Sequence, residues 1–529
     1  MAPFCDEYIL AQISEKKDHF SHFRKFQGDI TGRWILALTA MEKGARRPST
    51  RLKNIVEQAL RYQKKDGHFG VTDNPSTLNM PLLYGNGWLI YGLSDYAHTF
   101  QDNKVKEKVK KLGKFYRKKL PLFLEEKRNH TDFYAVNKDA YTHSIAGQVM
   151  LARLTEQKKD LEIIPTAYRA TRSYEDSDHS HTFLTIRRGI LDYILLTQDR
   201  SLLSNLEKEI GLIIQNEVLV SGGIKEEFHN PQNRLDEGCS IFDWLLICLK
   251  LWRITANDRY LHLAEVCLRN HVFYNQEYNG GFGSCQIQPQ FSTFGKEAPW
   301  CCSLFGVRAL AEAAQYIITR LDSTLSVNFL ENITIKKNKM LLNLSSNPSG
   351  HIELKISNNS DFQNVSFRLP FWYSLNEVFA NGKKITGSLD HGRLVCPLGK
   401  NIHLKILGRW QAWLSQNQGE PRPSVSVHSP RAIFYGPYLL SHFENIQNGK
   451  NIKIKLNPQG FIENYKFQKI RGIGIDLDSF QIVLPCDPLR EFHNPFSLLS
   501  LSDQEIALFP IKDRSAAIPQ HVIRPVSLL

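Results

Sequence analysis

The spacing of the hydrophobic residues changes near Arg320, and this change limits what the chain can fold into. Before that point apolar residues recur every three or four positions, as in amphipathic helices. After it, short runs such as 351–357 and 364–372 alternate apolar and polar residues between turn residues, as in β-strands. The sequence therefore predicts a multidomain protein, α then β, with a helical part followed by an antiparallel β-sandwich.

The helical part contains six segments that share an apolar or aromatic character with interspersed small residues. They are Gly32–Ala40, Gly87–Ala97, Tyr141–Leu154, His181–Leu196, Cys239–Trp252 and Trp300–Ile318. More charged helical stretches lie between several of them. Because an inner helix of a barrel is buried while its outer partner has one wet face, this alternation predicts an (α/α)6 toroid. The alternative is an irregular helical bundle.

The domain boundaries follow from these patterns. Residues 1–322 are expected to form the helical barrel, which would be the catalytic domain, and residues 323–529 the β-sandwich region. Gly419, Pro421 and Pro423 indicate a junction near 415–425, so the β region is expected to hold one or two modules. The strand-like alternation continues beyond residue 440.

Composition argues against several classes of protein. The 66 basic and 53 acidic residues give a net charge of +13, but the densest basic stretch, Lys104–Lys119, has the pattern of an amphipathic helix with a solvated lysine face. Neither a nucleic-acid partner nor a membrane span is predicted. The nine cysteines are odd in number and scattered, and the N-terminus has no signal-peptide pattern. We therefore expect a reducing, cytoplasmic location.

Four residues form two tight groups of metal-ligand type. Glu237 and Cys239 are two positions apart, and the doublet Cys301 and Cys302 follows further along the chain. Three thiols and one carboxylate supply the ligand number of a closed tetrahedral zinc site. Adjacent cysteines pair poorly in a disulfide. The alternative is that these cysteines are ordinary small buried residues.

A glycine-rich acidic loop lies just before this cluster. The stretch Ser221–Phe228 places two glycines before Glu226 and Glu227, as in a loop that enters the mouth of a barrel. Burial beside Phe228 would raise the pKa of a carboxyl into the range of a general acid. The alternative is that both acids are simply exposed on the loop.

These stretches together resemble the β-L-arabinofuranosidase family, glycoside hydrolase family 127 and its relatives. The similarity is carried by the G-G-I…E-x-F loop, the E-x-C motif at the start of a helix and the C-C doublet, and it extends over residues 26–440. Further similar stretches are Phe26–Leu38, Tyr62–Gly70, Ser180–Leu195, Phe367–Ile385 and Arg431–Leu440.

The resemblance implies a zinc ion held by Glu237, Cys239, Cys301 and Cys302. It also implies that Cys301 is the nucleophile, which forms a covalent glycosyl–sulfur intermediate, and that Glu226 is the general acid/base. The loop from Glu226 to Glu237 is shorter than is usual in the family, so Glu227 is kept as a second choice for the acid.

The substrate-binding residues are less well marked. His181 lies in the segment that resembles the family's inner helix and is the first candidate. His143 is a further candidate, although for it and for His271 a hydrogen-bonded core histidine is the alternative. Trp300 and Tyr274 are expected either to stack on a sugar ring or only to pack in the helical core.

The predicted function is therefore a zinc- and cysteine-dependent retaining glycoside hydrolase acting on β-L-arabinofuranosides or a related sugar. Its partner would be a small carbohydrate or a glycoconjugate. One alternative is a non-catalytic carbohydrate-binding protein with a structural zinc site, which would need the four ligands but not Glu226. A lyase or unsaturated-uronide hydrolase on a similar toroid would not need the paired cysteines.

Overall fold

A computed structural model describes most of the helical half and the first part of the β half. The described residues are 4–14, 24–45, 47–126, 138–157, 159–230, 236–276, 281–283, 298, 300–347, 350–415, 433–443, 456–459, 461–463, 465–468, 474–476, 481–483, 498–501, 507–510 and 523–525.

The first part of the chain is helical. Its α-helices are α1 (Asp6–Ser14), α2 (Asp29–Met41), α3 (Thr50–Arg61), α4 (Met80–Phe100), α5 (Asn103–Glu125), α6 (Asp139–Thr142), α7 (Ile145–Thr155), α8 (Lys159–Arg169), α9 (Ser180–Thr197), α10 (Leu203–Asn216), α11 (Gly238–Thr255), α12 (Arg259–Cys267), α13 (Phe273–Asn275) and α14 (Cys301–Ala313). A π-helical turn, Leu268–Val272, follows α12, and a 3₁₀ turn, Ala314–Tyr316, follows α14.

Six of these helices form a closed inner ring. In order, α2, α4, α7, α9, α11 and α14 each pack against the next, and α14 packs back against α2. These helices are buried over most of their length, whereas α3, α5, α8 and α10 bury one face. The predicted toroid is confirmed. It forms because the inner sequences are apolar or small nearly all round, so only a ring enclosed by other helices can bury them.

The basic stretch lies within α5. Val105, Val109, Leu112 and Phe115 are buried on one side, while Lys104 and most of the other lysines remain at least partly exposed. The predicted amphipathic helix is thus confirmed. Within the described ranges, the chain has no helix that is both long and apolar enough to cross a membrane.

Strands begin directly after the last helical turn. They are β1 (Ile318–Leu321), β2 (Thr324–Val327), β3 (Ile333–Lys337), β4 (Met340–Ser346), β5 (Ile352–Ser357), β6 (Asn364–Arg368), β7 (Tyr373–Ala380), β8 (Lys383–Ile385), β9 (Ser388–Asp390), β10 (Arg393–Pro397), β11 (Ile402–Trp410), β12 (Ala412–Leu414), β13 (Ile433–Tyr435), β14 (Tyr438–Phe443), β15 (Tyr465–Gln468), β16 (Gly474–Asp476), β17 (Gln481–Val483), β18 (Leu498–Leu501), β19 (Ala507–Pro510) and β20 (Ile523–Pro525).

Two sheets form the sandwich, and a third continues the β region. The sheets have the orders β1-β2-β6-β10-β9 and β3-β4-β5-β11-β7-β8, and every pairing is antiparallel except the parallel pair β2–β6. Leu342, Leu354, Phe367 and Leu404 belong to one buried cluster that fills the space between them. The third sheet follows the path β12-β13-β14-β19-β18-β15, with β20 beside β14, and β16 pairs with β17.

The change from helix to strand occurs slightly earlier than predicted. The last helical turn ends at Tyr316 and β1 begins at Ile318, so residue 322 falls in the turn between β1 and β2. The predicted helical periodicity continues to about Arg320, whereas Ile318–Leu321 is a strand that directly follows the last helical turn, and Asp322 and Ser323 form the turn to β2. The expected junction at 415–425 lies outside the described residues apart from Ser415.

Candidate active site

All six inner helices contribute to one region, and each does so from the residues around its first turn. Asp29 and Arg33 lie on α2, Tyr84 on α4, His143 just before α7, His181 on α9, Cys239 on α11, and Cys301 and Cys302 on α14. Helix N-termini carry a partial positive charge, which stabilises thiolates and carboxylates placed beside them. The N-termini of the six inner helices thus surround one group of carboxyl and thiol side chains.

The predicted metal ligands lie together. The ligand atoms of Glu237, Cys239, Cys301 and Cys302 are all within 4.8 Å of one another. The Cys302 Sγ atom is 3.7 Å from Cys239 Sγ, 3.8 Å from Cys301 Sγ and 3.3 Å from Glu237 Oε1. Sulfur ligands at 2.3 Å around a tetrahedral zinc ion would be about 3.8 Å apart, whereas bonded disulfide sulfurs are about 2 Å apart. The donor types and their spacing fit a zinc ion.

Local structure explains how two of the four candidate ligands, Glu237 and Cys302, are positioned. Glu237 is the N-cap of α11 and accepts hydrogen bonds from the Ser240 backbone N–H at 2.8 Å and from Ser240 Oγ at 3.0 Å. Gly238 packs closely on Cys302, since a Cβ at position 238 would lie 3.2 Å from the Cys302 Cβ. The starts of α11 and α14 are therefore in direct contact.

The three cysteines differ in exposure. Cys239 and Cys302 are 0% and 1% exposed, while Cys301 is only half-buried. Burial, together with the neighbouring Cys301 and Cys302 thiols, raises the pKa of Cys239 well above its usual value, so a cation is needed to keep it as a thiolate. Cys301 is the thiol of this cluster that a substrate can reach most directly.

A buried arginine that the sequence analysis did not select borders the cluster. Arg33 Nη1 lies 3.8 Å from Cys239 Sγ, and its Nε donates to Asp29 Oδ1 at 2.7 Å. Its guanidinium also stacks on the Trp88 ring, 3.7 Å from the centroid. The signal was available in the sequence, because Arg33 is a charged residue inside an otherwise apolar inner segment, and such a residue needs specific partners.

His181 is held at both ring nitrogens. Its Nδ1 lies 2.7 Å from Asp243 Oδ2, and its Nε2 lies 3.1 Å from Arg33 Nη2. Because arginine can only donate, Nε2 accepts this bond and Nδ1 carries the proton. Asp243 also accepts from Arg188 Nε at 2.7 Å. His181 thus lies in the site but has no ring nitrogen left for a direct hydrogen bond to a sugar.

His143 differs from the expectation of a hydrogen-bonded core histidine. It is 4% exposed, and neither ring nitrogen has a hydrogen-bond partner among the described residues. Its ring lies 4.5 Å from Tyr84 and 5.8 Å from His181, measured between ring centroids. Burial, followed by the neighbouring His181 and Arg33 side chains, lowers the pKa of His143 well below its usual value, so its ring is neutral.

Glu226 lies on a loop that hydrogen bonds connect, through Ser180, to α11, the helix that carries Cys239. The Ser180 backbone N–H donates to the Glu226 carbonyl at 2.9 Å, and Ser180 Oγ donates to Ser240 Oγ at 2.7 Å. Ser240 in turn donates to Glu237. Burial, followed by the nearby Glu237 and Glu227 carboxylates, raises the pKa of Glu226 to about 7. This carboxyl is therefore able to hold a proton near neutral pH.

The two acids of the loop have different surroundings. Glu227 Oε2 accepts a hydrogen bond from Asn230 Nδ2 at 2.7 Å. The Glu226 side chain makes no hydrogen bond within the described part of the chain, and it remains partly exposed. Of the two, Glu226 has the properties of a proton donor.

The remaining candidates occupy different positions. Trp300 precedes α14 and packs partly buried against both core clusters of the toroid. The side chain of Tyr274 lies outside the described residues. His271 is a hydrogen-bonded core histidine, which was the alternative interpretation of this residue. Its nitrogens contact Asp236 and Ser221 at 2.6 and 2.8 Å.

Comparison with known proteins agrees with the resemblance. A family model described as the catalytic domain of the GH127 β-L-arabinofuranosidases matches residues 2–314. No curated protein matches the sequence significantly.

Several solved structures share the fold over nearly the whole chain. A GH127 β-L-arabinofuranosidase from Geobacillus stearothermophilus T6 is 13% identical, with a TM-score of 0.68 over 98% of this chain and 93% of that one. A second GH127 β-arabinofuranosidase is 17% identical, with a TM-score of 0.67 over 98% and 91%. A structure described as a glycoside hydrolase is 14% identical, with a TM-score of 0.63 over 94% and 92%.

Proposed function

The chain belongs to the GH127 β-L-arabinofuranosidase catalytic-domain family, and from this membership we propose that it is a zinc-dependent retaining glycoside hydrolase. Its substrate would be a β-L-arabinofuranoside or a glycoside of a related sugar. The observation that carries the proposal is the cluster of three thiols and one carboxylate, within 4.8 Å of one another, beside a loop that bears a separate acid. The helical toroid is proposed as the catalytic domain.

Glu237, Cys239, Cys301 and Cys302 would hold the zinc ion. When bound, zinc keeps its thiol ligands deprotonated at neutral pH. Two of the thiols are buried and one, Cys301, is half-buried, so Cys301 would combine ligation with partial exposure. This difference supports Cys301 as the nucleophile.

Glu226 and Cys301 would share a double displacement. In the first half, Cys301 Sγ forms a bond to the anomeric carbon while the bond to the leaving oxygen breaks, and Glu226 gives its proton to that oxygen. In the second half, the Glu226 carboxylate takes a proton from water, the water oxygen bonds to the anomeric carbon, and the carbon–sulfur bond breaks to return the thiolate. Two inversions give net retention.

A direct test uses p-nitrophenyl β-L-arabinofuranoside with the purified protein. We expect turnover that a chelator abolishes, proton NMR showing a β-configured first product, and a trapped sugar adduct on Cys301 by mass spectrometry. An α-configured first product, or an adduct on another residue, would contradict the mechanism. A protein that binds zinc and carbohydrate but hydrolyses no glycoside would instead be a non-catalytic binding protein.

A further inference from the structure

The π-helical turn Leu268–Val272 contacts the loop Ser221–Phe228, called the acid loop below because it carries Glu226. The proposed mechanism assigns this turn no role. Extra residues of this kind inside a helix interrupt the regular hydrogen-bond ladder and occur frequently at functional sites. Two polar side chains of the turn, Asn270 and His271, are both 0% exposed. Burying an amide and an imidazole is costly unless their polar atoms are paired, so their partners indicate what the turn does.

His271 connects the two ends of the segment that carries the acid. Its Nε2 lies 2.8 Å from Ser221 Oγ, and its Nδ1 lies 2.6 Å from Asp236 Oδ2. Ser221 precedes Glu226 by five residues, and Asp236 directly precedes the ligand Glu237. Gly223 packs on the same imidazole, since a Cβ there would lie 2.2 Å from Cε1. The imidazole ring of His271 is therefore enclosed by the same loop to which it is hydrogen-bonded.

Asn270 connects the same loop to the β region. Its Nδ2 donates to the Ser221 carbonyl at 3.4 Å and to the Pro437 carbonyl at 3.0 Å, and its Oδ1 accepts from the Leu439 backbone N–H at 2.8 Å. Pro437 and Leu439 belong to the hairpin formed by β13 and β14. The Asn270 side chain thus joins the start of the acid loop to the turn of the β13–β14 hairpin, and its partner Pro437 is 167 residues further along the chain than Asn270.

We propose that Asn270 and His271 are positioning residues that fix the Glu226 loop against the β13–β14 hairpin, so that the β region takes part in aligning the acid. The inference rests on the proposed function for its catalytic meaning. Within the described residues, neither side chain forms a hydrogen bond or an ion pair with Glu237, Cys239, Cys301 or Cys302. Their loss should therefore disturb proton donation without removing the metal, because small displacements of a catalytic group cost much of its rate.

The test compares Asn270→Ala and the milder Ser221→Ala with a matched control, Asn328→Ala. Asn328 is also a buried asparagine and directly follows β2; it donates to the Tyr316 carbonyl and to Thr319 Oγ1 and accepts from Arg393 Nη2, and none of these partners belongs to the acid loop. Ser221→Ala removes only one side-chain hydroxyl, so it keeps the test decisive if Asn270→Ala fails to fold.

The first readout is hydrogen exchange of the peptide that contains residues 221–228. We expect exchange to be about tenfold faster in Ser221→Ala and Asn270→Ala, because local opening is cheaper without these bonds, and unchanged in Asn328→Ala. Unchanged exchange in both loop variants would overturn the inference. This readout needs no substrate, so it decides the structural link even if the wild-type protein hydrolyses no glycoside and the proposed function fails.

The second readout separates positioning from general damage. With an alkyl glycoside, whose leaving group needs protonation, kcat should fall about 10–100-fold in the loop variants, while an activated nitrophenyl glycoside loses much less. Zinc content should stay at the wild-type level. An equal loss on both substrates, or a loss of zinc, would show that the turn has only a structural role.

Discussion

At the scale of single residues, Arg33 shows how the toroid tolerates a charge in its interior. Its guanidinium contacts Asp29, Tyr84 and His181 and lies beside the Cys239 sulfur. A buried cation is stable only where its donors are paired, and here carboxylate, phenol, imidazole and thiol surround it. The same residue therefore sets the tautomer of His181 and supplies a positive charge to a site rich in acidic ligands.

Arg33→Met should destabilise the fold by about 3–5 kcal/mol, because it leaves the Asp29 carboxylate buried without its ion-pair partner. Asp29 is 2% exposed and cannot turn to water. Chemical denaturation measures the change. Arg61→Met, at an exposed position near the end of α3, is the control and should stay within about 0.5 kcal/mol of wild type. Similar stabilities for the two variants would contradict this account.

Glu226→Gln should remove proton donation, whereas Glu227→Gln should change activity little, since Glu227 is bound to Asn230. A general acid must be protonated, and the pKa of Glu226 is about 7, so kcat/KM for a poor leaving group should fall as pH rises through 7. Glu226→Gln should lose this alkaline limb. A pH–rate profile in both variants checks the prediction. The assignment fails if Glu227→Gln is the variant that loses the limb.

Cys302→Ala should release the metal, because it removes one of four ligands from a closed site. Metal analysis of protein purified under reducing conditions without chelator should find about one zinc per wild-type chain and much less in the variant. Cys248→Ala is the matched control, as Cys248 is equally buried on α11 but lies outside the cluster. A zinc-free wild-type protein, or equal zinc in both variants, would exclude the proposed ligand set.

At the scale of elements, the inner ring depends on glycines where helices touch. A Cβ on Gly32 would lie 2.3 Å from the backbone of Trp88, and one on Gly92 would lie 2.4 Å from the Gly32 carbonyl oxygen. Contacts this short between backbones cannot be relieved by rotating a side chain. The approach of α2 to α4 therefore requires glycine, and α2 is the helix that carries Arg33.

Gly32→Ala should destabilise the protein by about 1–3 kcal/mol through overpacking between α2 and α4. Gly211→Ala, within α10, should instead stabilise it by about 0.5–1 kcal/mol, since the new Cβ would have no packing neighbour within 4 Å beyond the backbone of its own helix, and alanine favours helix. Thermal or chemical denaturation of the pair gives the signs. Stability changes of the same sign in the two variants would show that α2 and α4 leave room for a Cβ at position 32.

The sequence predicted the ring from its helical periodicity, a local pattern. The two short motifs only suggested a metal site, and the set of four ligands was predicted from the family resemblance. It did not predict the partners of Arg33 or those of His271. The Asp29–Arg33 pair is four residues apart on one helix, but the other contacts of Arg33 and those of His271 join residues that are distant in sequence, and no local spacing encodes them. The first hairpin was likewise missed, since β1 has only four residues and follows a helical turn directly.

At the scale of the whole molecule, buried and partly buried ion pairs join the toroid to the β region. Arg368 on β6 contacts Glu265 on α12, and Arg269 on the π-helical turn contacts Glu331. Arg393 on β10 lies 2.9 Å from Asp258. Trp372, Trp413 and Phe434 pack with Val266 in a separate apolar cluster at the same junction. Separating the toroid from the β region would break these ion pairs and would also expose the large aromatic side chains of the cluster.

The two parts should therefore unfold together, and Arg368→Met tests this coupling. Arg368 is 3% exposed, and its Nε donates to the Asn328 carbonyl at 2.7 Å. Among the described residues, its loss leaves Glu265 with one ion-pair partner, Arg269 at 3.9 Å. The expected cost is about 3 kcal/mol, the lower end for breaking a buried pair, because this second partner remains. Arg409→Met on the exposed side of β11 is the control.

Hydrogen exchange should show α12 and β6 losing protection to the same extent in Arg368→Met, because a cooperative junction transmits the loss to both sides. Chemical denaturation should still give one transition, shifted to lower denaturant. If β6 alone lost protection, or if helical and strand signals separated into two transitions, the toroid and the β region would be independent folding units, and the hairpin could not hold the acid loop in the way proposed above.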